Sequence, residues 1–167
     1  MKKFWLMIIL SMMCLSVNAQ TDKSVSSEGG SLTRVEGNFS RLDYKGFSML
    51  IPSGSDVNLT DKEAIIKYTD GTYGMSVKVE SDKDASASAA VQICRRLVND
   101  LDVRGAKVSR VLIHGMSGGR LEGYVEGAPI NVVVLDAGKK YLKLVIINTP
   151  NRSDWTNMTV DSVNRVQ

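Results

Sequence analysis

An α+β fold follows from three patterns in the chain. Apolar side chains alternate at period two over several short segments, one apolar stripe at helical spacing sits between them, and a late run of strands is joined by short turns. Together they predict the order βββαββββα. The sheet is antiparallel, of about six to seven strands, and covered by helices on both faces as an α/β/α sandwich.

The first strand lies at Phe47, Met49 and Ile51, which share a face before Pro52 and Ser53-Gly54-Ser55 end the run. Residues 63–68 and 73–80 form the next two, joined across Thr69-Asp70-Gly71-Thr72, where Asp-Gly signals a hairpin with positive φ at both central residues. Tyr73, Met75, Val77 and Val79 mark its buried face. The period then changes. Ala87, Ala90, Val91, Cys94, Leu97, Val98 and Leu101 recur at three and four, which makes a helix from a cap at Asp84 or a nearby Ser or Asp to about Asp102.

Four strands follow as a meander, over residues 107–114, 120–126, 130–135 and 140–148. The intervening GMSGG, GAP and DAGK are too short to join anything but antiparallel neighbours. Residues 130–135 and 141–147 are apolar on both faces, so both strands are central and need cover on two sides. The predicted second cover is a helix over residues 153–166, with Ser153 as N-cap and Trp155, Met158, Thr159, Ser162, Val163 and Val166 on its packed face.

Upstream of the domain the chain carries an address. Lys2 and Lys3 precede an apolar run over residues 4–15, and Val17-Asn18-Ala19 offers a small-residue cleavage site before Gln20. The run is shorter than the roughly 20 apolar residues of a spanning helix. Residues 1–19 therefore read as a signal peptide, residues 20–38 as a flexible polar lead, and residues 39–167 as a single domain. The mature chain is expected to be periplasmic or secreted, with no transmembrane segment. A lipoprotein anchored at Cys14 is disfavoured, because Ser11-Met12-Met13 lacks the leucine and small residues of such acceptor sites.

Cleavage also changes the chemistry. The 21 basic and 18 acidic residues become 19 and 18, so the mature domain is almost neutral and shows no basic stripe that would suit a nucleic acid. Cys14 leaves with the leader, and Cys94 cannot form an intrachain disulfide alone. Its place on the apolar helix stripe, without a histidine partner, makes it a buried small hydrophobe.

GFSMLIPSG, the G-x-x-G-G-x-L-x-G element of Gly115, Gly118, Gly119, Leu121 and Gly123, GKKYLKLVIINTP and the terminal Trp155 helix together resemble the Mog1/PsbP/DcrB-like superfamily over residues 39–166. The resemblance implies an α/β/α sandwich on an antiparallel sheet. It also implies non-enzymatic roles as different as binding a small GTPase, supporting a photosynthetic complex or residing in the bacterial periplasm. No catalytic residue comes with it. The leader, with Gln20 after the cleavage site, further resembles those of secreted Bacteroidetes proteins.

The chain contains few residues able to do chemistry. Gly115-Met116-Ser117-Gly118-Gly119 fits the G-x-S-x-G spacing of a nucleophile elbow, with His114 beside it. An elbow needs a following helix and a later histidine, however, and here a strand follows and His114 is the single histidine, so a glycine-rich hairpin loop is the favoured reading. Zinc commonly wants several Cys or His ligands. The acidic pairs Asp61 with Glu63 and Asp82 with Asp84 lack the spacing of a calcium loop, so no metal or other cofactor is expected. Four N-x-S/T sequons, at Asn38, Asn58, Asn151 and Asn157, depend on a host pathway, and Asp161-Ser162-Val163 resembles the acceptor motif of Bacteroidetes O-glycosylation.

The most suggestive polar group is Arg120, Glu122, Tyr124 and Glu126, which alternate with Leu121, Gly123 and Val125 and so share a strand face. Carboxylates four residues apart on a strand lie about 13 Å apart, too far for the paired acid and base of a glycosidase. The expectation is therefore a non-enzymatic binding module for an unidentified protein or cell-envelope partner, with this row as its face. The alternative is a small-ligand carrier or hydrolase with a pocket between the sheet and the first helix.

Overall fold

The computed structural model describes residues 30–34 and 37–166. The expected signal peptide, Cys14 and residues 20–29 of the expected lead lie outside the described residues. Six strands come first: β1 (Gly30–Arg34), β2 (Phe39–Tyr44), β3 (Phe47–Pro52), β4 (Ser55–Leu59), β5 (Ala64–Tyr68) and β6 (Tyr73–Ser81). Helix α1 (Ala87–Asp100) leads to β7 (Arg104–Ile113), β8 (Met116–Val125), β9 (Ala128–Asp136) and β10 (Lys140–Asn148). A 3-10 turn, Pro150–Arg152, opens into α2 (Ser153–Asp161), and β11 (Asn164–Arg165) follows.

Seven strands form the main sheet, in the order β4-β5-β6-β10-β9-β8-β7, and every pair in it is antiparallel. The predicted meander is β7 to β10. Strands β6 and β7 run in the same direction and stand four strand spacings apart, roughly 19 Å. A parallel connection of that reach needs a crossover, and the 14 residues of α1 supply a rod of roughly 21 Å. Ser86 caps it by accepting from the Ala89 N–H at 3.2 Å. At the other end Asp102 adopts φ +52°, and Val103 N–H returns to the Val98 carbonyl at 2.9 Å, a Schellman closure without glycine.

The helix covers one face of the sheet. Ala90 and Cys94 pack there against Leu121, Val125, Ile130, Val132, Val134, Tyr141 and Ile147. On the opposite face Val133, Leu135, Leu142, Leu144, Ile146, Met75 and Val77 meet Leu42, Tyr44, Phe47, Met49 and Ile51. Both faces of β9 and β10 are thus dry, as their composition predicts.

The second cover is a correction. A helix was expected there, whereas most of the layer is a separate four-stranded sheet, β1-β2-β3-β11, with α2 beside it. Gly30–Arg34, placed by composition in the flexible lead, is its edge strand and pairs with β2 from Gly30 opposite Tyr44 to Arg34 opposite Ser40. Backbone pairing to a buried neighbour orders a segment whose own side chains give no such signal. β2 was hidden because Ser40 holds a buried position, where its hydroxyl meets that of Ser53 at 3.1 Å.

The last helix is also shorter than expected, ending at Asp161, and its N-cap position is Arg152 without a side-chain bond. Trp155 anchors it edge-on to Phe39, Tyr68 and Tyr73, with ring centroids 4.8–6.5 Å apart and the Arg152 guanidinium 3.9 Å above the indole. Thr156, Thr159, Val160 and Val163 are buried, whereas Met158 and Val166 are exposed. Chain reversal at Ser162 turns Val163 inward. The Ser162 hydroxyl accepts from Leu50 N–H and donates to the Thr159 carbonyl, both at 2.8 Å.

Two turns differ in detail from their sequence signals. In the Asp-Gly hairpin only Gly71 takes positive φ, while Asp70 accepts from the Thr72 N–H at 2.8 Å and from its hydroxyl at 2.6 Å. The expected glycine-rich loop narrows to His114 and Gly115, and Met116 to Gly119 are already strand. Gly119 is there for closeness: a Cβ on it would stand 2.8 Å from Val91 Cα and 3.0 Å from Cys94 Sγ, so α1 rests on bare backbone. Gly119→Ala is expected to lower stability by about 1–3 kcal/mol through forced displacement of α1. Ser117→Ala, exposed in the same strand, should leave the denaturation midpoint unchanged.

Candidate functional site

The row proposed from alternation lies on β8, on the sheet face opposite α1. Cross-strand register sets Arg120 opposite Val133, Glu122 opposite Asn131 and Tyr124 opposite Pro129 on one side, and opposite Ser109, Lys107 and Arg104 on the other. Arg120 is held from three directions. Its Nε donates to Asn131 Oδ1 at 2.6 Å, and its Nη2 reaches Asn157 Oδ1 and Glu122 Oε1, each at 3.1 Å. This side chain ties β8 to β9 and to α2 while keeping only 18% exposure. Tyr124 is 52% exposed.

Glu126 does not join them. It occupies the turn between β8 and β9 with φ +51°, next to Gly127 at φ +86°, so the strand face ends one residue before it. Asn131 and Asn157 are the partners that sequence reasoning missed. Asn131 had a signal, being the sole polar side chain within Ile130-Asn131-Val132-Val133-Val134-Leu135. Asn157 had none beyond its sequon, because only the docking of α2 brings it to Arg120.

Other candidate groups have structural partners. His114 Nδ1 lies 2.8 Å from the Val163 carbonyl, which ties the β7–β8 turn to the segment after α2. Cys94 is fully buried, and burial pushes its thiol up to about 11 despite a backbone hydrogen bond at Val134 and the charge of Lys143. Glu63 pairs with Lys78 at 3.4 Å, and Asp82 accepts from the Asp84 N–H at 2.9 Å. Among the described residues, no group of three His, Cys, Asp or Glu side chains is arranged to hold a metal ion. The Ser162 hydroxyl is committed to two hydrogen bonds that a glycan would break. Asn38, Asn58, Asn151 and Asn157 are exposed.

Tyr73 and Asp70 show how the interior treats polar groups. Burial drives the Tyr73 hydroxyl far above its usual range, against the opposing effect of its 3.0 Å hydrogen bond with Thr159. At Asp70 partial burial pulls upward, but hydrogen bonds from Thr72 and the charge of Arg152 outweigh it and hold the carboxyl below the usual range.

No family model matches the sequence, and no curated protein matches it. Similarity is found among solved structures. The solution structure of cyanobacterial PsbP (CyanoP) from Synechocystis sp. PCC 6803 superposes with a TM-score of 0.56 at 13% identity, over 87% of this chain and 98% of that one. The chain has a PsbP-like fold. A Bacteroides thetaiotaomicron VPI-5482 crystal structure is similar at TM-score 0.51 and 14% identity, over 74% of this chain and 46% of that one. The resemblance read from GFSMLIPSG, the glycine element and GKKYLKLVIINTP thus holds for a PsbP-like fold, but not for helices on both faces. Within this PsbP-like domain, no helix among the described residues is long and apolar enough to cross a membrane.

Two outcomes are expected. Arg120→Ala should lower stability by about 1–2 kcal/mol in denaturant melts, since it leaves Asn131 and Asn157 without their donor, and Arg120→Lys should recover only part, having no planar fork. Native Cys94 should react with a thiol reagent only at the rate of unfolding, so that adding denaturant accelerates labelling; rapid modification of native protein would contradict its burial.

Proposed function

We propose that the protein is an exported, non-enzymatic binding module that engages a protein or cell-envelope partner through the β8 face. The observation that carries this reading is Arg120, fixed by Asn131, Asn157 and Glu122 beside a half-exposed Tyr124. Arg and Tyr dominate the energetics of protein interfaces. A guanidinium already held in place loses less freedom on binding than a free one. The PsbP-like fold supports an accessory or binding role in the general sense, and the leader at residues 1–19 supports export.

The alternative of a ligand pocket between the sheet and α1 has less support. Helix and sheet touch at Gly119, with Ala90 and Cys94 wholly buried, which leaves no space for a ligand at that crossing. Tyr124 lies on the other face of the sheet and does not border that crossing.

Affinity capture from envelope fractions tests the reading. Wild-type protein should retain a saturable partner, and Tyr124→Ala should weaken its retention by at least roughly tenfold with no change in melting temperature. Equal capture by wild type, Tyr124→Ala and Glu122→Ala would remove this face from the function.

A further inference from the structure

Strand β7 ends the main sheet, and among the described residues nothing pairs with its outer edge. It is ten residues long, against five for β4 at the opposite end. A row of open N–H and C=O groups of that length is a template for another strand. Its sequence, RGAKVSRVLI, contains three cations and no carboxylate. Arg104, Lys107 and Arg110 are exposed and, among the described residues, form no ion pair, whereas Arg41, Lys78, Arg120, Lys143 and Arg152 each have an acidic partner. Leu112, beyond Arg110 on the same face, is 71% exposed.

Two features select the occupant. Pairing two copies of β7 edge to edge would crowd six cations onto one seam with no carboxylate between them, so the charges oppose self-association. The same charges favour an acidic strand. An antiparallel newcomer would need an apolar residue beside Leu112, a carboxylate beside Arg110, a small apolar residue beside Val108 and a carboxylate beside Lys107, which reads L-x-E-x-V-E.

We propose that β7 is a docking edge that takes an extended acidic segment of a partner protein as an eighth strand of the main sheet. This rests on the binding-module reading and names the chemistry of the partner. Main-chain hydrogen bonds supply affinity, while Lys107, Arg110 and Leu112 supply register and selectivity. The bulge between Arg104 and Lys107 bends the near end of the edge and confines docking to residues 107–113.

The test uses a fluorescein-labelled peptide, TLTETVETT, and its counterpart with both Glu replaced by Lys. The acidic peptide should bind by anisotropy, weaken as salt rises from about 0.05 to about 0.5 M, and slow hydrogen exchange at β7 amides. The Lys peptide should not bind. Arg110→Glu should weaken the acidic peptide roughly tenfold, and a peptide with Lys only at the matching position should regain that loss. Absence of binding, equal binding of both peptides, or binding without slowed exchange in β7 overturns the proposal. Envelope capture that depends on Tyr124 without peptide binding would leave the β8 face standing and remove the edge. Peptide binding that meets these criteria, without envelope capture, would do the reverse.

Discussion

Two-sided burial of β9 and β10 is the constraint around which the domain is built. Ile130, Val132 and Val134 point to one side of the sheet while Val133 and Leu135 point to the other, and none exceeds 1% exposure. β10 repeats the pattern with Tyr141 and Ile147 against Leu142, Leu144 and Ile146. Each fully buried aliphatic side chain contributes about 1.5–3 kcal/mol, so two covers are required and either missing one would expose a full layer. Helix α1 answers the first need. The small sheet with α2 answers the second, and the main sheet stays wet where those covers stop.

The candidate face is one such place. On the last half of β8 and the first half of β7, the side opposite α1 carries Arg120, Glu122, Tyr124, Lys107 and Ser109, so the sheet surface there is wet and charged rather than covered. Arg120 stands at the border, with its guanidinium shared between α2 and the open strands. It is both a fastening for the second layer and the start of the exposed surface, which couples the stability of that layer to the shape of the face. Next to it the outer edge of β7 continues the same surface around the end of the sheet.

Most of the main sheet was legible in the sequence. Period-two alternation at Tyr73, Met75, Val77 and Val79, the helical stripe from Ala87 to Leu101, and the doubly apolar runs in β9 and β10 each depend on local burial, and local burial leaves a pattern. The small sheet was not legible in the same way. β1 is short and polar, β2 buries a serine, and β11 is two residues whose place comes from pairing with β3, far away in the sequence. The site divides likewise: alternation placed Arg120, Glu122 and Tyr124 on one face, but it extended the row to Glu126 because it could not see the turn, and it could not find Asn157.

By itself the sequence determined which segments must be buried on both sides, where the crossover helix lies, and that residues 20–167 are almost neutral with one thiol. Those are properties of composition and period, carried by residues within a few positions of one another. What covers the second face, how closely α1 settles onto Gly119, and which side chains hold Arg120 were decided only in three dimensions. Each depends on contacts between elements far apart in the chain, and no local pattern encodes the partner of a long-range contact.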